Sequence, residues 1–173
     1  MRTHNRLIVL VWGLLFGLSY QDIATAGQWM SLGNAGFVSG DSSLRLTMPY
    51  VGQPSLSIQT DSPGDLKWIS ENVPMTLNEQ FKATKMIDKV MICYKSPDAG
   101  SYISQIRLAQ FSGPSQAVVI HDDGTDLTSP TDTCYVSKLP NYKATGGVEF
   151  SLRLNLAAPF HKIWIGNTMV HVK

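Results

Sequence analysis

The alternation of apolar and polar residues over Val148–Leu156 constrains the fold of this chain more than any other feature. Five apolar side chains occupy every second position of this segment, and four polar side chains lie between them. Successive side chains of a strand point to opposite faces of a sheet, so a period of two predicts a half-buried β-strand. The segment therefore predicts a sheet with one face in the core and the other towards solvent.

Other short segments have the composition of strands and are separated by glycine, proline, asparagine and aspartate. These segments are 44–48, 55–59, 66–70, 86–94, 102–109 and 117–121. No regular alternation of strands with helices accompanies them, so a parallel sheet with helical crossovers is not expected. The sequence predicts an all-β fold, an antiparallel β-sandwich or jelly-roll-like single domain.

The C-terminal residues predict a specific turn. Gly166-Asn167 lies between two apolar segments, as in a two-residue β-hairpin that pairs Ile165 with Thr168. In that register one face carries Ile163, Ile165, Val170 and Val172, and the other carries Lys162, Trp164, Met169 and His171.

The segment 76–91 permits two interpretations. Thr76 and Glu79 have the spacing of a helix capping box. The continuation into Val90–Tyr94 favours a strand instead. A loop followed by a strand is the preferred interpretation, and a helix remains the alternative.

The N-terminus has the composition of an export signal. Arg2 and Arg6 precede an apolar run of about a dozen residues, and small residues end at Ala26, as signal peptidase requires. The run is short for a bilayer core of ~30 Å, although an uncleaved anchor is the alternative. We expect residues 1–26 to be a signal peptide and residues 27–173 to form one domain that is secreted or periplasmic.

The charged residues of the expected mature chain balance. The sequence has 14 Lys and Arg and 13 Asp and Glu. The first 26 residues hold two of the arginines and one aspartate, so twelve basic and twelve acidic residues remain. No lysine or arginine cluster is visible along the sequence, which argues against a nucleic-acid or anionic-membrane partner.

Cys93 and Cys134 are the only two cysteines. In an oxidising compartment they predict a disulfide, and free or metal-bound thiols are the alternative. The bond would close a loop of about 40 residues and stabilise the fold by roughly 4 kcal/mol. Such a disulfide is structural and does not identify a function.

The segment His121–Asp126 concentrates acidic residues. Asp122, Asp123 and Asp126 can offer oxygen ligands to calcium, although their spacing departs from the EF-hand pattern. An ordinary Asp-Gly turn is the alternative. Calcium is the only cofactor that the sequence suggests.

A catalytic role for the same segment is a further alternative. His121 next to Asp122 has the composition of a general base, with Ser101, Ser112 or Ser129 as a nucleophile. No nucleophile elbow, zinc-binding helix motif or phosphate-binding loop is present. We therefore assign no catalytic residue.

Aromatic residues supply the remaining candidate site. Trp164, Tyr102 and His121 are candidate ligand-binding residues, because an exposed aromatic ring can stack on a sugar or on a partner side chain. Packing in the core or in an interface is the alternative for Trp164.

Three functional hypotheses follow from these observations. The leading one is a secreted non-catalytic β-sandwich module that binds a glycan, cell-surface material or a protein. The second is a small extracellular hydrolase that uses His121–Asp126. The third is a structural assembly subunit that oligomerises through its exposed hairpin face. We expect no nucleic-acid partner and no stable membrane anchor after cleavage.

Overall fold

The computed structural model describes residues 27–32, 36–48, 55–73 and 86–173. The predicted signal peptide and residues 76–85 lie outside these ranges. The described residues form the strands β1 (Gln28–Ser31), β2 (Leu44–Thr47), β3 (Leu56–Thr60), β4 (Gly64–Val73), β5 (Met86–Lys95), β6 (Tyr102–Gly113), β7 (Gln116–Asp123), β8 (Thr133–Lys143), β9 (Val148–Leu156) and β10 (Lys162–Val172). None of the residues in these ranges belongs to a helix long and apolar enough to cross a membrane.

The strands form two antiparallel sheets. Sheet A has the order β2-β3-β10-β5-β8, and β1 also pairs with β10. Sheet B has the order β4-β9-β6-β7. The all-β fold and the antiparallel β-sandwich predicted from the sequence are confirmed.

The core lies between the two sheets. Alternate residues of β9 point into it, and the side chains of Phe150, Leu152 and Leu154 are completely buried. Sheet A contributes Ile58 and Ile163, which are also completely buried. The period of two in β9 therefore identified the buried face correctly.

Several strands differ from the sequence-based expectation. β1 and β8 were not predicted, and β8 contains Pro140, a residue more typical of edge strands than of central ones. β8 is indeed the last strand of sheet A. In the ambiguous segment 76–91, the part from Met86 onwards is strand β5.

The predicted C-terminal hairpin is wrong. Lys162–Val172 is one continuous strand, and Gly166 and Asn167 lie at a β-bulge within it. Ile165 pairs with Tyr94 and Thr168 with Ile92, so β10 has one extra residue at the bulge. Because of the extra residue, the buried side chains are Ile163 and Ile165 before the bulge and Val170 and Val172 after it. These are the residues that the hairpin register placed on one face, so the predicted faces are correct although the predicted turn is wrong.

Candidate ligand-binding site

A depression of about 500 Å³ lies on the outer face of sheet A. It crosses four neighbouring strands, β3, β10, β5 and β8. With about 4.8 Å between adjacent strands, it extends ~14 Å across the sheet. Its lining residues are Ser55, Cys93, Tyr94, Lys95, Asp132, Thr133, Cys134, Trp164 and Gly166.

Trp164 is the aromatic residue on the solvent side of the depression. Its neighbours Ile163 and Ile165 are completely buried in the core. Because side chains alternate along a strand, Trp164 is directed to the outer face of sheet A. The indole is partly exposed there, and Trp164 pairs with Ser57 on one side and with Lys95 on the other.

The disulfide forms part of the floor. Cys93 on β5 lies directly opposite Cys134 on β8, and their sulfur atoms are bonded. The predicted disulfide is confirmed. Both residues line the depression.

Gly166 leaves the floor beside Trp164 open. A β-carbon placed at Gly166 would lie 3.3 Å from the carbonyl oxygen of Cys93, a close contact. The bulge therefore brings the backbone of β10 tightly against β5. No side chain fills the depression at this position.

Two opposite charges stand at the rim. Lys95 is partly buried and Asp132 is exposed, and both line the depression. Within the described residues, neither forms an ion pair with another side chain. An ammonium group and a carboxylate are thus free to bind solvent or a ligand.

The sequence analysis did not select Lys95 or Asp132. Lys95 follows Cys93 by two residues and Asp132 precedes Cys134 by two residues. Since the cysteines face each other on antiparallel strands, both charges fall on the same sheet face as the disulfide. The register implied by the predicted disulfide could have identified them.

The acidic segment does not converge on one point. Asp122 accepts a hydrogen bond from Arg107 at 2.9 Å and another from Gln105. Burial would raise the pKa of Asp122, but the hydrogen bonds from Arg107 and Gln105 lower it below its ordinary value. Asp126 is exposed in the loop beyond β7.

Asp123 faces β8 instead. Its carboxylate accepts hydrogen bonds from Ser137, from Tyr135 Oη at 3.0 Å and from the Thr125 backbone N–H at 3.0 Å. Burial opposes ionisation, but these hydrogen bonds lower the pKa of Asp123 to about 2. The described ranges contain no group of three or more His, Cys, Asp or Glu side chains that could hold a metal ion. Calcium binding by Asp122, Asp123 and Asp126 stays one of the two alternatives from the sequence, beside an ordinary turn.

His121 also faces β8. Its Nε2 lies 2.7 Å from Oγ of Ser137, and that hydroxyl donates its own proton to Asp123. His121 Nε2–H is therefore the donor to Ser137, the reverse of the proton transfer that activates a serine nucleophile. Burial lowers the pKa of His121, partly offset by the nearby Asp123 and Asp122.

The serines considered as nucleophiles have other contacts. Ser101 is buried, its Oγ lies 3.0 Å from Nδ1 of His161, and it accepts the Ala157 N–H at 3.1 Å. Ser129 donates to the carbonyl of Thr131 at 2.7 Å. Neither of these serines contacts His121.

The three predicted ligand-binding residues lie in different places. Trp164 is on the outer face of sheet A. Tyr102 begins β6 in sheet B opposite Asn155. His121 is on β7, towards β8. The structure does not bring these side chains together, and only Trp164 lies in the depression.

No family model and no curated protein sequence matches this chain. Solved structures with the same fold do. One is the N-terminal part of an endo-1,4-β-D-xylanase from Clostridium thermocellum, comprising CBM22-1 and GH10 modules in complex with xylohexaose, with a TM-score of 0.54 and 10% identity over 85% of this chain. The match spans 28% of the xylanase chain.

A second similar structure is a carbohydrate-binding module described as CBM4. Its TM-score is 0.51 at 11% identity, covering 84% of this chain and 86% of that one. What the chains share is the β-sandwich. At this level of identity the likeness establishes the fold alone.

Proposed function

We propose that this protein is a non-catalytic carbohydrate-binding module that takes a glycan in the depression on sheet A. The observation that carries the proposal is the position of Trp164, whose partly exposed indole stands beside an open floor and a polar rim. An aromatic ring next to convergent polar groups is the composition of a small-ligand site.

The lining matches the two surfaces of a sugar. The faces of a pyranose ring carry C–H groups that pack against an aromatic ring, and its edges carry hydroxyls. Trp164 and the Cys93–Cys134 disulfide offer apolar surface for the former. Lys95 can donate hydrogen bonds to hydroxyl oxygens, and Asp132 can accept them from hydroxyl protons.

The fold comparison supports the same assignment. The β-sandwich matches part of a two-module xylanase chain whose structure was solved in complex with xylohexaose. The disulfide and the N-terminal segment support a secreted or periplasmic location, because disulfides persist in oxidising compartments. We propose that residues 1–26 direct this export.

Affinity electrophoresis tests the function. Residues 27–173 are run through native gels containing soluble xylan, β-1,4-galactan, mixed-linkage glucan or pectin, and the binders are then titrated calorimetrically. We expect at least one polysaccharide to retard the protein. Trp164→Ala should abolish the retardation, because it removes the stacking surface.

Trp68→Ala is the matched control. Trp68 is a partly buried tryptophan on the outer face of sheet B, where the guanidinium of Arg107 lies 4.8 Å from its ring centroid. Its truncation should leave retardation unchanged. If Trp68→Ala lost retardation and Trp164→Ala kept it, the site would lie on sheet B. If no polysaccharide changed the migration of the wild-type protein, the proposal would be refuted.

A further inference from the structure

Lysines that are scattered in the sequence gather on the outer face of sheet A. Lys95 pairs with Trp164 across β5 and β10. Lys162 lies two residues before Trp164, on the same face of β10. Further along the sheet, Lys89 pairs with Lys138 across β5 and β8.

These four lysines lack acidic partners in the described ranges, where no carboxylate oxygen lies within 4.0 Å of their ammonium groups. Like charges directly opposite each other, such as Lys89 and Lys138, are unfavourable in a sheet. Carboxylates of the described residues therefore do not neutralise the positive charge of these four lysines.

Most of the carboxylates near these lysines are engaged in other contacts. Asp61 pairs with Arg45 at 2.6 Å. Asp98 accepts the backbone N–H of Lys162 at 2.5 Å. Asp88 is bonded to His171 and to Lys173. Asp132 is the carboxylate that lines the depression.

The outer face of sheet B differs. Arg107 pairs with Asp122 at 2.9 Å. Glu149 on the same face accepts a hydrogen bond from Ser151 at 2.8 Å, and Arg153 donates to Ser104 at 2.9 Å. Among the described side chains of that face, these two arginines and two carboxylates balance in charge, whereas the outer face of sheet A carries four lysines without an ion-pair partner.

We propose that the depression selects an acidic glycan, one whose sugar units carry carboxylate groups, with Lys95 as the residue that meets the acid. The inference rests on the proposed function. Lys95 is the cation that lines the depression beside the Trp164 ring, so a sugar stacked on the indole places its substituents within reach of the ammonium group. Lys89, Lys138 and Lys162 add a longer-range attraction for an anionic chain.

Asp132 favours a uronic acid polymer over a polyphosphate. Its carboxylate can accept hydrogen bonds from the free hydroxyls of a sugar, and an ionised polyphosphate chain has no such donors to offer. A single-stranded nucleic acid can also use an aromatic ring and a basic face. Nucleic acid is therefore included in the test as an alternative occupant.

The test compares acidic and neutral forms of the same glycans by calorimetry on residues 27–173. The probes are oligogalacturonides and their methyl esters, and glucuronoxylan and its carboxyl-reduced form. We expect the acidic form of at least one pair to bind about tenfold more tightly, as one charge-assisted hydrogen bond provides. The preference should shrink as salt is added, because salt screens exposed charges.

Lys95→Gln should lower the ratio of the acidic to the neutral affinity towards one. Arg153→Gln removes the same charge from the opposite face and should leave the ratio unchanged. Equal binding of acidic and neutral forms, or an unchanged ratio in Lys95→Gln, would overturn the proposal while leaving glycan binding intact.

If neither form bound and no polysaccharide retarded the protein in the gels, the proposed function itself would be refuted. Tighter binding of a single-stranded oligonucleotide than of every glycan would replace the glycan by nucleic acid.

Discussion

Glu71 is the residue whose substitution tests most directly how the core of this sandwich tolerates charge. It lies on β4 between Ile69 and Val73, and its side chain points between the sheets with 3% of its surface exposed. Thr168 donates a hydrogen bond to Oε1 at 2.9 Å. A β-carbon placed at Gly36 would lie 3.2 Å from Oε2, so the backbone covers the carboxyl group closely.

Burial raises the pKa of Glu71 from 4.5 to about 7, and the Thr168 hydrogen bond lowers it only in part. The folded state therefore holds this proton more tightly than the unfolded state. Stability contributed by the neutral carboxyl is complete below pH ~4.5 and is lost as the pH rises to ~7. The difference in pKa corresponds to about 3 kcal/mol at pH 8.

We predict that Glu71→Gln is nearly neutral at pH 5 and stabilises the fold at pH 8 by up to about 3 kcal/mol. The amide keeps an acceptor for Thr168 and cannot ionise. Urea unfolding of residues 27–173 at pH 5, 6, 7 and 8 measures the difference between the two proteins at each pH.

Asp41 and Asp123 do not interfere with this measurement. Hydrogen bonds, of which the one from Ser43 has the largest effect, lower the pKa of Asp41 to about 2. The pKa of Asp123 is also lowered to about 2, because its hydrogen bonds outweigh the effect of burial. Their contributions are lost only below pH ~4. Glu149→Gln, on the outer face of sheet B, is the matched control and should show no pH-dependent gain. A difference between wild type and Glu71→Gln that is the same at all four pH values would refute the reasoning.

Three further predictions follow from the fold. Leu152→Ala should destabilise the protein by ~2–5 kcal/mol in urea, because Leu152 is completely buried, and a near-neutral result would mean that this face of β9 is not core. Non-reducing peptide mass spectrometry should find Cys93 linked to Cys134, and the Cys93→Ser/Cys134→Ser variant should lose ~2–4 kcal/mol. Restoring ~1 mM calcium after EDTA should leave Tm unchanged, since Asp123 already accepts several protein hydrogen bonds, whereas an increase absent in Asp123→Ala would establish the calcium site.

The sequence predicted correctly which face of a strand is buried, but it predicted poorly how one strand connects to the next. The period of two identified the buried side of β9, and the pattern around Gly166 identified the buried side of β10. The same pattern predicted a turn because Gly-Asn is also a favoured hairpin dipeptide. A two-residue motif does not determine the backbone conformation of its glycine or the strands with which its flanking segments pair. In this fold β1 and β3 pair with β10 on one side and β5 pairs with it on the other, and these strands keep β10 extended.

The candidate site follows the same division. Sequence alone determined most of the strands, the buried faces of β9 and β10 and the single possible disulfide, because these depend on local periodicity and on a count of cysteines. Only the tertiary structure decided that Trp164, Lys95 and Asp132 share a depression, and that Lys89, Lys138 and Lys162 lie on the same outer face. A balanced charge along the chain becomes an excess of cations on one sheet because antiparallel pairing, set by long-range contacts, brings distant residues to the same face.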